Sequence, residues 1–463
     1  MTAVAAGVLL TGTPVPDVVL DDLARRVTRL DRDVASRTAA RTDRSGWAPA
    51  GAPDAVVRVR TVDDVVATVR WAGEHGVPLV PRGTGTGLAG AAAAGPGQVV
   101  LDLRGLDHLV VHPADSLAVA GPGVLTADVD RAARAHGLRY APDPGSVDIS
   151  TIGGNIATNA GGLRCAAHGA TREAVLALDV VLADGSLLRT GPGAARSVTG
   201  YDLTSLFVGS EGTLGIVVGA TLRLVPVPVR TGTVAAVFAD VEAAAAGATA
   251  LGAAGLRPAT LELLDAATLR AVDDAEGTTL AAAGGAFLLV QTEGAAAAQD
   301  AGTAADLLRR TAVRVDVTDD PAQAERLVAV RRRALPSVER RGRVLIEDVA
   351  VPPSALAAAV RGIAAISART GVPVFTFAHA GAGVVHPLVL TDDGVVTARV
   401  QETVDAVVAL ALDLGGALTG EHGVGVLKRE WLDDALDPVA RTTLRRIKDA
   451  LDPRGLLNPG TAI

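Results

Sequence analysis

Near the start of the chain, the spacing of hydrophobic residues alternates between that of a helix and that of a strand. Pro16 precedes apolar residues spaced three and four apart, which predicts one helix over about residues 15–40. Residues 55–60 (AVVRVR) alternate as a strand does, and residues 61–76 read as an amphipathic helix that Gly76 ends. With a second strand in VPLVPRG (77–83), this strand–helix–strand unit indicates an α/β layer.

Strands dominate the pattern that follows. The predicted elements are strands at 98–106, 116–124 and 212–226, a helix at 125–137, and a hairpin at 174–191 that turns at Asp184-Gly185. The proline-rich PVPVR (226–230) reads as a domain boundary. Helices and strands then alternate to about residue 415, and a last helix and turn follow. We therefore expect two or three domains, since 463 residues are too many for one ordinary core.

Composition excludes several classes of protein. The net charge is −8 and the longest basic run is Arg331–Arg333, which disfavours a nucleic-acid-binding surface. The single cysteine, Cys165, cannot form a disulfide framework or hold an iron–sulfur cluster by itself. The apolar N-terminus is short and lacks a basic region, and no later apolar stretch of spanning length is free of charge. We expect a cytoplasmic protein without a membrane span.

Three glycine-rich segments indicate a ligand site. PRGTGTGLAG (81–90) follows a predicted strand, and its backbone N–H groups can bind pyrophosphate, although a simple turn has a similar composition. PDPGSVDISTIGGNIATNAGG (142–162) adds Asn155 and Asn159, which we interpret as donors to a large polar ligand. GYDLTSLFVGSEGTLGIV (200–217) is the third. Three such segments fit a ligand larger than a phosphate.

Two histidines bracket the stretch HAGAGVVH (379–386). On a straight helix, residues seven apart lie about 10 Å from each other, which is too far for one metal ion. Gly381 and Gly383 favour a loop or bent strand instead. With Glu421 of GEHG, the two imidazoles make a common three-ligand set for Zn²⁺. Spacing alone favours the alternative, two ordinary hydrogen-bonded histidines.

Several motifs resemble one flavoenzyme family. PRGTGTGLAG, STIGGNIATNAGG, GYDLTSLFVGSEGTLGIV and LLNPG resemble the FAD-binding signatures of vanillyl-alcohol oxidase/p-cresol methylhydroxylase-type enzymes. TGEHGVG and HPLVL resemble the branch that contains the glycolate oxidase D subunit, D-lactate dehydrogenases and D-2-hydroxyglutarate dehydrogenase. The resemblance extends from about residue 50 to the C-terminus.

The resemblance implies an α+β fold with a two-part FAD-binding domain of the p-cresol methylhydroxylase (PCMH) type. An α+β substrate (cap) domain with an antiparallel sheet follows, and a C-terminal segment returns to the FAD domain. The corresponding ranges are an N-terminal helical segment at 1–48, the FAD-binding domain at 49–228, the cap domain at 229–418 and the C-terminal segment at 419–463.

In this family the glycine-rich segments hold FAD. The residues so implied are Pro81, Arg82, Gly83, Thr84, Gly85, Thr86, Gly87, Leu88, Gly90, Pro142, Asp143, Ser146, Thr151, Gly153, Gly154, Asn155, Ala157, Thr158, Asn159, Gly161, Gly162, Gly215, Ile216, Val217 and Asn458. The family usually has Gly where Thr84 stands, and a Thr hydroxyl can donate to phosphate. It often has Tyr where His168 stands. We interpret His168 as a structural or surface histidine and expect noncovalent FAD.

The resemblance also implies a metal centre. In metal-containing members, the residues that match His379, His386 and Glu421 bind a divalent metal, and we expect Zn²⁺ ahead of Mn²⁺ or Fe²⁺. The residue matching His422 is the catalytic base, and the residue matching Arg331 binds the substrate carboxylate. Arg332 and Arg333 read as a solvated helix face. Ala382 and Val384 replace the family's Asp and Asn, which leaves fewer polar groups around the ligands.

The expected reaction is FAD-dependent oxidation of a 2-hydroxy acid, such as glycolate or D-lactate, to the 2-oxo acid. A metal would lower the pKa of the hydroxyl, His422 would take its proton, and hydride would pass to flavin N5. The acceptor that reoxidises the flavin stays open among oxygen, a quinone, and a flavoprotein or iron–sulfur partner subunit, as does a homodimer.

Two other functions stay open. A non-catalytic FAD-carrying subunit should lack the His/His/Glu set. A flavin oxidase of an unrelated substrate would have a pocket remodelled at Ala382 and Val384.

Overall fold

The computed structural model describes residues 12–192 and 198–463, so the start of the predicted N-terminal segment lies outside the described residues. Contacts divide the described chain into two units. The first unit contains residues 12–161, 170–192, 198–227 and 421–463, and the second contains residues 162–169 and 228–420. Strands β1–β19 and helices α1–α18 are numbered along the chain.

The first unit is built on two sheets. The four-stranded sheet contains β1 (Leu30–Asp31), β2 (Ala55–Arg58), β3 (Leu79–Arg82) and β4 (Val99–Asp102) in the order β1-β2-β4-β3. In it β2, β4 and β3 are parallel and β1 is antiparallel to β2. The antiparallel five-stranded sheet contains β5 (Leu109–His112), β6 (Leu117–Ala120), β8 (Val175–Val181), β9 (Leu187–Arg189) and β10 (Ile216–Arg223) in the order β5-β6-β10-β8-β9. A short pair joins β7 (Leu138–Arg139) to β11 (Val225–Pro226).

Helices surround these sheets. They are α1 (Asp17–Arg26), α2 (Val34–Ala39), α3 (Val62–His75), α4 (Thr126–Arg134), α5 (Ile152–Thr158), α7 (Thr171–Ala174), α8 (Leu203–Phe207), α17 (Leu432–Ala435) and α18 (Pro438–Leu451), with 3₁₀ turns at Leu103–Gly105, Pro113–Asp115 and Arg429–Trp431. The predicted helix over 61–76 is confirmed as α3. Thr61 and Asp64 form its capping box, and Gly76 ends it in the left-handed conformation.

The single helix predicted over residues 15–40 is wrong. Helix α1 ends at Arg26, and Leu30 and Asp31 form β1, which pairs with Val57 and Val56. Asp31 accepts hydrogen bonds from the Nε atoms of Arg29 and Arg58, each at 2.7 Å. Pairing with β2 thus overrides an apolar spacing that also fits a helix.

The predicted hairpin over 174–191 is confirmed. Strands β8 and β9 pair in antiparallel register, and Gly185 has a φ of 79° at the turn. The Asp184 carboxylate accepts from the Ser186 backbone N–H at 2.8 Å, which stabilises that turn.

One antiparallel sheet organises the second unit, in the order β15-β12-β14-β13-β18-β19-β16 with β17 beside β19. Its strands are β12 (Thr231–Phe238), β13 (Thr260–Asp265), β14 (Ala286–Glu293), β15 (Ala312–Thr318), β16 (Arg343–Ile346), β17 (Val349–Ala350), β18 (Val374–His379) and β19 (Val384–Thr391). The helices are α6 (Cys165–His168), α9 (Val241–Ala253), α10 (Ala266–Glu276), α11 (Leu280–Ala283), α12 (Ala297–Leu308), α13 (Pro321–Arg332), α14 (Ala334–Glu339), α15 (Leu356–Thr370) and α16 (Ala398–Asp413), with a 3₁₀ turn at Pro353–Ala355.

The core of this sheet includes Leu264, Phe287, Phe377 and Leu388.

None of the helices in residues 12–192 and 198–463 has the length and hydropathy of a membrane span.

Candidate active site

The first two glycine-rich segments touch in the first unit. Strand β3 ends at Arg82, and the segment 83–90 follows it. A Cβ on Gly83 would overlap Oγ1 of Thr151, the N-cap of α5. A larger residue at position 83 would therefore force the Thr151 side chain out of its position as the cap of α5.

The third segment and LLNPG join the same region. The Glu211 backbone N–H donates to the Ala157 carbonyl at 2.8 Å. The Asn458 side-chain amide donates to the Ala91 carbonyl at 3.0 Å and to the Glu211 carbonyl at 2.7 Å. Segments far apart in the sequence thus meet in one unit, as a site for one large ligand requires.

Packing within the protein explains several glycines of these segments. A Cβ on Gly153 would lie 2.5 Å from the Pro122 Cβ, and one on Gly215 would lie 2.5 Å from the Val180 Cγ1. A Cβ on Gly212 would overlap Pro81. The glycine pattern therefore serves contact between segments as well as access for a ligand.

The two asparagines of the second segment do not support a ligand in the way we argued from the sequence. The buried Asn155 amide donates to Thr126 Oγ1 at 2.6 Å. Asn159, left-handed at the end of α5, accepts from the Arg172 backbone N–H at 2.9 Å. Both side chains have partners inside the protein, so their polarity alone does not indicate a cofactor.

Thr84 carries a clearer sign of a ligand. Its hydroxyl is buried and has no hydrogen-bond partner among the described residues. It lines a cavity of about 210 Å³, as do Arg82, Arg58 and Arg104. Burial lowers the pKa of Arg82, against the opposing charge of Asp43. A buried hydroxyl without a partner, beside guanidinium groups, fits a phosphate oxygen of FAD.

The other residues that the resemblance implies for FAD lie along the same segments. Gly85, Thr86, Gly87, Leu88 and Gly90 lie in the segment after β3; Pro142, Asp143 and Ser146 lie between β7 and α5; Gly154 and Thr158 belong to α5, Gly161 follows it, and Gly215, Ile216 and Val217 begin β10 or directly precede it. Gly162 belongs to the second unit.

In the second unit, a β-hairpin carries the two histidines of HAGAGVVH. His379 on β18 pairs with Val384 on β19, and His386 pairs with Phe377. Paired residues of an antiparallel ladder share a face, so both imidazoles lie diagonally on one face. Their ring centroids are 5.1 Å apart. The bent strand expected from the glycines is thus a tight hairpin, with Gly383 at a φ of 71°.

Glu421, the third ligand that the resemblance implies, begins the last segment of the first unit. Glu421 directly follows Gly420, whose backbone N–H donates to Asp348 Oδ2 at 2.7 Å. Asp348 and Thr419 thus fix the end of the second unit, directly before Glu421.

Glu262, which the sequence analysis missed, orients this site. It stands opposite His379 in the β13–β18 register, and its Oε1 lies 2.7 Å from His379 Nδ1. Its Oε2 accepts from Arg331 Nε at 2.7 Å. The side chains are 1% (Glu262), 8% (His379) and 9% (Arg331) exposed, so this is a buried network. The sequence signal for it was a charged residue inside the apolar run TLELLD.

A second buried carboxylate, Asp348, lies near the other histidine. Its side chain is fully buried, and its Oδ1 lies 3.8 Å from His386 Nδ1. Its Oδ2 accepts from Thr419 Oγ1 at 2.6 Å as well as from Gly420. Asp348 thus holds the chain just before Glu421 beside the histidine hairpin.

These two carboxylates change the interpretation of the substitutions at the hairpin. Ala382 is exposed at the turn, and Val384 is buried opposite His379. Neither supplies a polar group, as expected from the sequence. Glu262 on the neighbouring strand β13 provides a polar partner for His379 instead, and the carboxylate of Asp348 lies near His386.

Of the three consecutive arginines, only Arg331 faces the network. Its guanidinium carbon lies 3.9 Å from the centroid of the Phe377 ring. Arg332 and Arg333 are exposed and pair with Glu325 and Glu276. The solvated face predicted for these two is confirmed.

His422 and its neighbours belong to the first unit, where Glu211 fixes the loop. The buried Glu211 carboxylate accepts from the backbone N–H groups of Val424 and Gly425, each at 2.8 Å. Burial raises the pKa of Glu211 to about 7, despite these two donors. Glu211 lies inside the third glycine-rich segment, but no local pattern reveals that it binds a loop 213 residues further along the chain.

His168 has a partner in the second unit. Its Nε2 lies 3.2 Å from Glu293 Oε2, and both side chains are largely buried. This contact fits the structural role predicted for His168.

Family models match most of the chain. Residues 53–191 match the FAD binding domain, and residues 227–462 match the C-terminal domain of FAD linked oxidases. The glycolate oxidase subunit GlcD of Bacillus subtilis is 40% identical over 415 residues, covering 88% of each chain. A D-lactate dehydrogenase of Anaerostipes hadrus is 32% identical and covers 88% of this chain and 89% of its own length.

A solved structure shows the same fold. Substrate-bound p-cresol methylhydroxylase aligns with a TM-score of 0.79 at 16% identity, covering 97% of this chain and 98% of the other. This confirms the α+β architecture with a PCMH-type FAD-binding domain. The chain therefore belongs to the FAD-linked oxidase family and is an FAD-dependent oxidoreductase.

Proposed function

We propose that this protein oxidises glycolate, D-lactate or a similar D-2-hydroxy acid to the 2-oxo acid, using noncovalent FAD and a divalent metal. Its relatives are named glycolate oxidase subunit and D-lactate dehydrogenase. The observation that carries the proposal is the pair His379 and His386 on one face of a hairpin, where a buried carboxylate already orients one imidazole. Glu421 is proposed as the third ligand from the resemblance.

The donor set fits a catalytic metal. A carboxylate beside Nδ1 favours the His379 tautomer with its proton on Nδ1, so Nε2 is the nitrogen that we propose to bind the metal. Three protein ligands leave a coordination position open to substrate. Zn²⁺ suits this set best, with Mn²⁺ or Fe²⁺ as alternatives.

The chain's own residues would bind the substrate and move its proton. When bound, FAD supplies a hydride acceptor at N5 and the metal lowers the pKa of the substrate hydroxyl. Arg331 binds the substrate carboxylate through its two terminal nitrogens, which make no hydrogen bond with the described residues. His422 accepts the hydroxyl proton.

We assign the cofactor to the first unit. The hydroxyl of Thr84 and the backbone of residues 83–90 would hold the pyrophosphate. The pairing of His168 with Glu293 supports noncovalent attachment. The cytoplasmic location expected from the sequence stays a prediction.

We also propose that electrons leave through another protein. The Bacillus relative is named as a subunit, and Cys165 by itself cannot hold an iron–sulfur cluster. A partner that carries such a cluster or a second flavin would meet this need.

Anaerobic mixing with a panel of hydroxy acids tests the function. At least one D-2-hydroxy acid should bleach the flavin absorbance near about 450 nm, a property of the cofactor. Purified protein should contain about one equivalent of Zn²⁺ or Mn²⁺, and chelation should abolish bleaching until metal is restored. If no hydroxy acid bleaches the flavin, the proposed function is wrong.

The same assay tests His422. We expect His422→Ala to slow bleaching by about 10²–10⁴-fold while FAD stays bound, because the hydroxyl proton loses its acceptor. His136→Ala is the control, since His136 is exposed and lies outside the proposed site. Bleaching at the wild-type rate in His422→Ala would exclude His422 as the base.

A further inference from the structure

One buried carboxylate contacts both the metal ligand His379 and the carboxylate-binding Arg331. We propose that Glu262 is a positioning residue that couples metal binding to recognition of the substrate's carboxylate, an inference that rests on the proposed function. The three residues come from β13, β18 and α13 and all belong to the second unit.

The Glu262 carboxylate contacts both partners at the same time, with one oxygen atom for each. Oε1 is 2.7 Å from His379 Nδ1, and Oε2 is 2.7 Å from Arg331 Nε. Glu262 stands opposite His379 at one end of the antiparallel β13–β18 pairing, and opposite Leu289 of β14 on its other side. Because strand register fixes its backbone and both oxygens have partners, its side chain has one favourable position.

The contact with His379 determines which ring nitrogen can bind metal. A carboxylate at Nδ1 stabilises the tautomer with the proton on Nδ1 and makes the other nitrogen a stronger ligand. Without it, the proton would distribute over both nitrogens and the ring could rotate. Outer-shell partners of this kind typically contribute about 10–100-fold in metal affinity.

The contact with Arg331 determines how the guanidinium is presented. Its Nε is engaged by Glu262 and its plane lies near the Phe377 ring, 3.9 Å from guanidinium carbon to ring centroid. The two terminal nitrogens are then left side by side for a bidentate carboxylate. Removing Glu262 would leave a long side chain free to adopt other rotamers.

The shared charge also gives the coupling a sign. With a metal bound at its other nitrogen, His379 would donate a stronger hydrogen bond to Oε1, and less of the carboxylate's negative charge would then face Arg331. Arg331 then attracts a substrate carboxylate more strongly. Metal and carboxylate should therefore favour each other's binding, and the coupling must be reciprocal.

The test compares Glu262→Gln with Asp265→Asn in the FAD-loaded protein. Asp265 is a buried carboxylate on the same strand, but it is the N-cap of α10 and accepts from the backbone N–H of Thr268. We expect Glu262→Gln to weaken Zn²⁺ binding about 10–100-fold in a chelator competition. At saturating Zn²⁺ it should also weaken binding of a 2-oxo acid about tenfold in calorimetry, as for a lost charge-assisted contact. Asp265→Asn should change neither by more than about twofold.

Several outcomes would overturn the coupling. Glu262→Gln with wild-type affinity for both Zn²⁺ and the 2-oxo acid would do so, and so would a loss confined to either one. Glu262→Asp keeps the charge but is one methylene too short to span both partners, so it should show the same two losses. It serves as the second variant if the Gln protein does not fold.

A third measurement separates this inference from the proposed function. Nitrogen-15 NMR of the metal-free wild type, labelled at its 8 histidines, reports the His379 tautomer, with His379→Gln for assignment. Protonated Nδ1 is expected even if no hydroxy acid bleaches the flavin. A metal-free wild type with the proton on Nε2 would overturn the role of Glu262.

Discussion

Three buried carboxylates, Glu262, Asp348 and Glu211, lie beside the proposed metal ligands and the proposed base. Glu262 and Asp348 hold the histidine hairpin and its neighbours, and Glu211 holds the loop after His422. Each hydrogen bond that a buried carboxylate oxygen accepts offsets part of the free energy that it costs to remove a charge from water. Truncating any of these residues should therefore disturb a functional neighbour as well as stability.

Glu211 should make the stability of the first unit depend on pH. Its pKa is about 7 in the folded protein, above the ordinary value of 4.5, so folding favours its protonated form. Its contribution is full below the ordinary value and is lost as pH rises through about 7. At about 1.4 kcal/mol per pKa unit, the free energy of unfolding should fall by up to about 3 kcal/mol across this window.

We expect Glu211→Gln to flatten that fall, because an amide does not titrate. Denaturant unfolding of the FAD-loaded protein at pH 5 and pH 8 measures it, with the exposed Glu339→Gln as control. Burial also raises the pKa of Asp43, so the free energy of unfolding should still fall by a smaller amount in this variant. An unchanged difference between the two pH values in Glu211→Gln would contradict the assignment.

The proposed metal ligands could be predicted from the sequence, whereas the buried carboxylates that contact them could not. His379, His386 and Glu421 stand in two short motifs. Glu262 lies 117 residues from His379 and 69 from Arg331, so only the strand register brings them together. A lone acid in an apolar strand is nonetheless a readable signal, because burying it requires a partner.

At the scale of elements, the hairpin of β18 and β19 determines whether the two imidazoles share a face. Its turn depends on Gly383, where φ is 71° and an added Cβ would overlap the Val351 carbonyl oxygen. The Val351 backbone N–H donates to the Gly383 carbonyl at 2.8 Å, which ties the turn to the neighbouring chain. A side chain at this position is strained in two ways.

We expect Gly383→Ala to destabilise the protein by at least about 1–3 kcal/mol and to lower its metal content, because the turn must shift. The control is Ala382→Ser, an exposed position of the same turn. Thermal unfolding and metal analysis measure both effects. A Gly383→Ala protein as stable and as metal-loaded as Ala382→Ser would show that the turn tolerates a Cβ.

Elements with complete local signals were predictable, and those set by distant pairing were not. Helix α3 has its capping box and terminal glycine, and the β8–β9 hairpin has its Asp-Gly turn. The region after α1 keeps a helical spacing but forms β1, because Leu30 pairs with Val57. Similarly, no local pattern reveals that β13 lies between β14 and β18.

At the scale of the whole chain, the first unit is assembled from segments far apart in sequence. Asn458 links two of them through the carbonyls of Ala91 and Glu211, across 367 and 247 residues. Its φ of 44° is one that asparagine tolerates better than most residues. Asn458 is 3% exposed, so water does not readily replace its amide.

We expect Asn458→Gly, which keeps the backbone freedom, to lose about 1–3 kcal/mol because two buried carbonyls lose their donor. FAD should also dissociate faster, since the segments that resemble its binding loops lose a link. Thermal unfolding and fluorescence of released flavin measure these effects. Asn458→Ala adds backbone strain and should be worse, whereas a Gly variant with wild-type stability and FAD retention would contradict the prediction.

The pairing of β3 with the LLNPG region has a consequence for biosynthesis. The Leu79 backbone N–H donates to the Leu456 carbonyl at 2.8 Å, and the Asn458 backbone N–H donates to the Leu79 carbonyl at 2.8 Å. The ribosome must therefore make more than 370 further residues after Leu79 before these bonds can form. The sheet of the second unit, by contrast, has all its strands once residue 391 is made. During translation the two units would mature in the reverse of the order in which they begin.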